Sequence, residues 1–242
     1  MTYDASREST RDFWHRFGRR PDVAGKRVLD IGCGHGAMSI DLAQQGAEVV
    51  GVDTDASRIE WAQRNLIACH PTLVDYVTFL AQDSTQLPSD ERFDLAVSKD
   101  TFEHVIDVKG LLVDIRGRLH GDGELWVGFG PLYFSPWGDH GRTGLLVPWA
   151  HAVLPRGLVY FAARRVRLTG RPVRDLGDIG LNGITPAAFR RDIARAGMAV
   201  RLISYNRGDE PLLKVMSMAR RIPGLERYMT VSVYAVLARR PE

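Results

Sequence analysis

A chain of 242 residues, 45% hydrophobic and 25% charged, suffices for one globular domain with a substantial core, and no composition shift marks a second, so 1–242 is read as a single domain. A net charge of +3 is too mild, and its arginines too scattered, for an expected nucleic-acid binder, and no apolar run reaches the roughly 18 residues of a membrane span. Two cysteines, Cys33 and Cys69, exclude a disulfide framework and read as reduced thiols; with no apolar core of a signal peptide in the first residues, a cytoplasmic location is expected.

Residues 7–17 are predicted to be helical, with Phe13, Trp14 and Phe17 on one side. A first strand, 27–31, runs into Val-Leu-Asp-Ile-Gly-Cys-Gly-His-Gly at 28–36, where Gly32, Gly34 and Gly36 give the backbone freedom for a sharp turn and let a ligand lie against it. The loop is thus a nucleotide-type cradle, and Gly32-x-Gly34-x-x-Ala37 also satisfies the loose dinucleotide fingerprint. A helix at 37–45 follows, then a strand at 48–52 closing on Asp53, a helix at 55–69 and a strand at 77–81 leading into Gln82-Asp83-Ser84. The fourth strand, 95–98, ends at Ser98-Lys99-Asp100, and 107–119 carries apolar residues at helical spacing before a fifth strand at 123–129. Beyond it, Pro131, Pro136, Pro148, Pro155 and Pro172 break the rhythm, so 131–180 is read as an insertion at the carboxyl ends of the strands, a natural substrate lid. Thr185 and Pro186 open a helix that Gly197 stops, and strands at 200–205 and 230–238 complete the count. Strands alternating with helices imply an α/β fold with a largely parallel sheet.

The pattern Asp30-x-Gly32-x-Gly34-x-Gly36, with Asp53 closing the next strand, resembles the class I S-adenosylmethionine-dependent methyltransferases. The resemblance implies a Rossmann-like, seven-stranded, mostly parallel sheet with helices on both faces and an antiparallel last strand. It implies that Asp30, Gly32, Cys33 and Gly34 hold the methionine and ribose side of S-adenosylmethionine and that Asp53 takes the two ribose hydroxyls. A carboxylate suits a vicinal diol because it accepts two hydrogen bonds at once. Asp83, with Ser84, is expected at the adenine amine; Ser98 and Lys99 line the methionine end through their main chain; Thr54 either contacts ribose or adenine or caps the following helix.

Asp100-Thr101-Phe102-Glu103-His104-Val105 is similar to the Glu-x-x-Glu-His-Val stretch of ubiquinone-biosynthesis O-methyltransferases and to one in small-RNA 2′-O-methyltransferases, where the acidic pair and the histidine hold a divalent metal. Carried over, Asp100, Glu103 and His104 would bind an ion such as Mg, with His151 or His140 as a further ligand, although Asp100 is one methylene shorter than the glutamate of that pattern. In the metal-free reading Glu103 shapes the pocket and His104 or His140 is the general base, since imidazole exchanges protons near neutral pH. His15 and His35 rank below them.

The insertion offers Tyr133, Phe134, Trp137 and Trp149, after Phe129 and before the apolar stretch 158–163, which suits a small hydrophobic or aromatic acceptor and equally a satellite core beneath the lid. Arg164, Arg165, Arg167, Arg171 and Arg174 read as a solvated surface; following the apolar stretch, they also fit contact with an anionic membrane carrying a lipid-like acceptor. The expected function is methyl transfer to a small molecule, at oxygen. The alternatives are a noncatalytic methyltransferase-like cofactor-binding protein and an NAD-dependent oxidoreductase, and neither oligomeric state nor pathway is readable.

Overall fold

The computed structural model describes residues 3–166 and 173–240. Among them, β1 (Arg27–Ile31), β2 (Glu48–Val52), β3 (Val77–Leu80), β4 (Phe93–Lys99), β5 (Leu119–Phe129), β6 (Met198–Tyr205) and β7 (Val233–Arg239) form one seven-stranded sheet. Its order is β3-β2-β1-β4-β5-β7-β6, and β7, as expected, runs antiparallel to both of its neighbours while the others are parallel. Helices α1 (Tyr3–Phe17), α2 (Ala37–Ala43), α3 (Ala56–Cys69), α4 (Val108–Arg118) and α7 (Pro186–Arg195) flank the sheet. Two short helices, α5 (Ala150–Val153) and α6 (Arg156–Arg165), lie in the insertion; α8 (Pro211–Ala219) and α9 (Glu226–Met229) connect β6 to β7.

Side chains alternate across each strand, so the sheet feeds two cores. Leu29, Ile31, Leu125, Val127, Ala235 and Leu237 pack with α4 and α7 on one face. Val28, Val97, Trp126, Tyr234 and Val236 pack with α1, α2 and α3 on the other. With both faces covered, the strands read as continuous apolar runs, which is what made them visible in the sequence. Phe13, Trp14 and Phe17 of α1 supply an aromatic cluster with Trp126 and Tyr234.

The helix caps follow the local chemistry. Thr185 accepts from the Ala188 amide with Pro186 in the first turn, and Asp107 caps α4 through the Gly110 amide. Strand β5 begins earlier than its pattern predicts: Phe93 pairs with Leu119 and Leu95 with Glu124, leaving the polar His120, Gly121 and Asp122 outside the regular register. Between β5 and α7 the chain builds a satellite core of Tyr133, Ala163, Val173, Ile179 and Leu181, with Phe134 and Tyr160 against it. Arg167, Arg171 and Pro172 lie outside the described residues. No described helix is long and apolar enough to cross a membrane.

Candidate active site

Strand β1 sits between β2 and β4, so the chain leaves the carboxyl end of β1 on one side and that of β4 on the other, and a crevice opens where the strand order reverses. The glycine loop fills its floor. Gly32, at φ +73°, donates to the Val52 carbonyl, and any Cβ on it would strike the Thr101 side chain, so the protein's own packing demands that glycine. Gly34 is different. A Cβ there would come no closer than 4.0 Å to Asp53 Oδ2 and would otherwise project into open space, where a ligand can lie on the backbone.

Asp53 arches over the loop from the end of β2. Its Oδ2 accepts from the Gly34 amide at 2.9 Å and its Oδ1 from the Asp55 amide at 2.8 Å, which leaves lone pairs on both oxygens for a diol. The cap of α3 is Asp55, bonded to the Ser57 and Arg58 amides, so Thr54 is not the cap and stays exposed at the rim. Below the loop, Asp30 is buried; its Oδ2 accepts from Ser39 Oγ at 2.6 Å while its Oδ1 has no partner among the described residues. Burial pushes its carboxyl up to about 6, against the pull of Ser39 and Lys99. An unpartnered buried carboxylate oxygen next to an open backbone cradle fits the ammonium and ribose of S-adenosylmethionine. Cys33, its thiol pushed up by burial and the neighbouring Asp30 and Asp53, offers the loop only its backbone.

Elsewhere the expected cofactor residues divide. Ser98 Oγ is turned into the sheet, donating to the Ile31 carbonyl at 3.0 Å, so only its main chain borders the crevice. Lys99 Nζ is tied to Ser9 Oγ on α1 and to Asp100 Oδ2, at 3.0 and 3.2 Å. This link between the amino-terminal helix and the site has no signal in the sequence. The Ser84 hydroxyl points away, to Asp114 Oδ2 of α4 at 2.9 Å, which leaves only its main chain for a cofactor. Asp83 serves as a cap, its Oδ1 accepting from both Thr85 N and Thr85 Oγ1 while Gln86 returns the bond to the Asp83 amide. The exposed Oδ2 alone remains for an adenine amine.

Across the crevice, the loop after β4 brings together Glu103, His104 and the insertion's His140. Glu103 is buried, with Oε1 accepting from the Gly130 amide at 3.2 Å and Oε2 unpartnered among the described residues. Burial, and then the charge of Asp100, push its carboxyl up to about 8, so it is protonated at neutral pH. His104 Nδ1 lies 2.6 Å from the Gly180 carbonyl and His140 Nε2 2.9 Å from the Pro131 carbonyl; a carbonyl only accepts, so these nitrogens carry the protons. Desolvation first, with Arg142 and, for His104, the neighbouring imidazole adding to it, lowers both rings below the ordinary histidine range. Both are therefore neutral near pH 7, with the lone pairs on His104 Nε2 and His140 Nδ1 and ring centroids 5.6 Å apart.

Two residues unseen in the sequence hold this side in place. Arg142 Nη1 donates to the Ile179 and Gly180 carbonyls, at 2.5 and 2.8 Å. Asn182 Nδ2 donates to the Phe102 and Val105 carbonyls at 2.6 and 2.7 Å, stapling the end of the insertion to the loop that carries Glu103 and His104.

The expected metal quartet is corrected. Among the described residues no three His, Cys, Asp or Glu side chains are grouped to hold an ion. His151 is buried inside the insertion, its Nε2 bonded to the Tyr133 carbonyl at 2.6 Å and its Nδ1 3.8 Å from Asp139. His104 spends Nδ1 on Gly180, and Asp100 turns to Lys99, so the donors do not converge.

Glu103 dictates how stability depends on pH. Its value in the folded chain, about 8, lies above the ordinary 4.5, so its contribution is whole below pH 4.5 and is lost as pH rises through 8. Glu103→Gln, which keeps an acceptor for Gly130, is expected to be more stable than the parent protein at pH 9 by about 5 kcal/mol at most. The margin should vanish near pH 5. Thermal melts of the ligand-free proteins across that range check it; a margin independent of pH refutes it.

Comparison with known proteins agrees with this geometry. The family described as "Methyltransferase domain" matches residues 29–127. A ubiquinone biosynthesis O-methyltransferase of Mesorhizobium japonicum is 39% identical over 97 residues, 38% of each chain. One from Chromobacterium violaceum is 27% identical over 180 residues, 69% of this chain and 73% of that one. This chain spans less than half the length of the first curated relatives it matches. Among solved structures, an S-adenosylmethionine-dependent methyltransferase from Mesorhizobium loti superposes with a TM-score of 0.62 over 98% of this chain and all of that one, at 21% identity, a likeness of fold alone. The domain match starts in the strand leading to the cradle and ends beyond the loop of Glu103 and His104, so residues 29–127, which carry most of the candidate site, are similar to this methyltransferase domain family.

Proposed function

We propose that this chain transfers a methyl group from S-adenosylmethionine to a hydroxyl of a small hydrophobic or aromatic acceptor, with His104 as general base. The observation that carries the reading is the fixed tautomer of His104: its proton is on Nδ1, bonded to Gly180, so its accessible Nε2 is an acceptor at neutral pH. S-adenosylmethionine, when bound, supplies a methyl carbon made electrophilic by a sulfonium. Asp53, Asp30 and the Gly34 backbone orient that end, and alignment of the acceptor oxygen behind the carbon supplies most of the catalysis. As the oxygen–carbon bond forms and the carbon–sulfur bond breaks, the hydroxyl proton passes to His104 Nε2 and the sulfur leaves as a neutral thioether. Protonated Glu103, beneath the same loop, adds no negative charge that would draw the proton back.

The insertion at 131–180 acts in this reading as the lid and acceptor pocket. Its aromatic satellite core holds His140 and Arg142 against the His104 loop. Curated relatives named as ubiquinone biosynthesis O-methyltransferases support oxygen as the site. The test has two steps. Calorimetry is expected to give S-adenosylmethionine binding and none for NAD, and the reverse would overturn the reading. A cell extract incubated with the protein and methyl-labelled cofactor is then expected to yield a labelled hydrophobic ether by mass spectrometry; label on nitrogen or carbon would remove the oxygen assignment.

A further inference from the structure

We infer that the outer face of the insertion, centred on α6, docks onto an anionic membrane surface. Helix α6 is two-sided. Val159 and Ala163 are buried in the satellite core, whereas Leu158 and Phe161 stand out with 57% and 52% of their surfaces exposed. Beside them, Val153 and Leu154 are exposed at the end of α5. Large apolar side chains gathered on one outward face mark an interaction surface.

Charge identifies the occupant. From Gly141 to Arg174 the sequence has no aspartate or glutamate, while arginine recurs throughout. Arg164 and Arg165 are exposed at the carboxyl end of α6, and the Arg165 guanidinium lies 4.4 Å above the Phe161 ring centroid, a cation resting on an apolar side chain. Helix α8 repeats the arrangement. Leu212, Val215 and Met218 are exposed at three-residue spacing, Lys214 lies among them and the exposed Arg221 follows. The segment it leads into is joined to the insertion, since Trp149 Nε1 donates to the Tyr228 carbonyl and Arg227 covers the Phe134 ring.

A bilayer with anionic headgroups satisfies both chemistries, since acyl chains take the apolar side chains while phosphates take the guanidinium groups at the interface. A second copy of this chain fits poorly, because a two-fold contact would set Arg164 and Arg165 against their own equivalents. Nucleic acid would leave Leu158 and Phe161 without apolar partners. This docking requires nothing of the methyl-transfer reading and stands or falls apart from it.

The experiment is co-sedimentation of the full chain with vesicles of phosphatidylcholine alone and with about one third phosphatidylglycerol. Binding is expected on the anionic vesicles only, weakening with added salt. Leu158→Glu with Phe161→Glu should cut it by about tenfold or more, and Arg164→Gln with Arg165→Gln by about fivefold for each arginine removed. These side chains lie outside the cofactor crevice, so S-adenosylmethionine binding should not change, and melting temperature should move only in the arginine double variant, where the bond from Arg164 Nη2 to the Val173 carbonyl is lost. Failure to bind anionic vesicles, binding undiminished in both double variants, or a vesicle-free dimer that the Leu158 and Phe161 changes dissolve would overturn the proposal.

Discussion

Asp53→Ala is expected to weaken S-adenosylmethionine binding by about 10²- to 10⁴-fold, the largest single effect on binding in the crevice. Two hydrogen bonds from a ribose diol to a carboxylate are worth about 1.5–3 kcal/mol each, and alanine forfeits both. The same change orphans the Gly34 and Asp55 amides, which loosens the cradle as well as removing the contact. Asp53→Asn separates the two causes: its remaining carbonyl oxygen can hold one amide while the charge is gone, so its affinity should fall between the other two proteins. Calorimetric titration of variants with unchanged circular dichroism checks the ordering. Alanine affinity equal to the parent's would place the ribose contact elsewhere.

His104→Ala is expected to retain S-adenosylmethionine binding and to lose about 10²- to 10⁴-fold in methyl-transfer rate, the usual share of a general base. The pH dependence adds an independent check. A base whose value is lowered from 6.5 stays unprotonated down through mildly acidic pH, so the parent rate should hold below pH 6.5 and fall only as the lowered value is crossed. Single-turnover rates measured between pH 5 and 8, with His140→Ala alongside, divide the roles of the two rings. Full activity in His104→Ala would remove it from the mechanism, and a loss confined to His140→Ala would make Nδ1 of that ring the acceptor.

What the sequence revealed of this molecule was local. The strands stood out because both faces of the sheet are covered, and the cradle because its turn needs glycine, at Gly32 to clear the Thr101 side chain and at Gly34 to leave the backbone open. Asp53 was legible by its place at a strand end. The side-chain partners that it did not reveal lie far along the chain: Ser84 turns to Asp114, Lys99 to Ser9, and Asn182 to a loop some eighty residues earlier. No spacing rule records such pairs. Helix α6 stayed hidden because Leu158 and Phe161 are apolar on its exposed side, which erases the helical period, and α8 and α9 because Pro223 and Gly224 interrupt them. The Asp83 cap could have been found: Asp83-Ser84-Thr85-Gln86 has the acidic residue and glutamine at capping-box spacing.

One oxygen, the carbonyl of Gly180, receives hydrogen bonds from both His104 and Arg142. The two donors come from opposite sides, one from the loop after the fourth strand and one from the insertion, so the carbonyl works as a latch that reports whether both have arrived. Withdrawing the segment 177–181 would unlatch them together and let the imidazole proton migrate to the nitrogen that must be vacant to accept one. On the proposed mechanism, with His104 as general base, the vacancy of its Nε2 therefore depends on the position of one backbone atom.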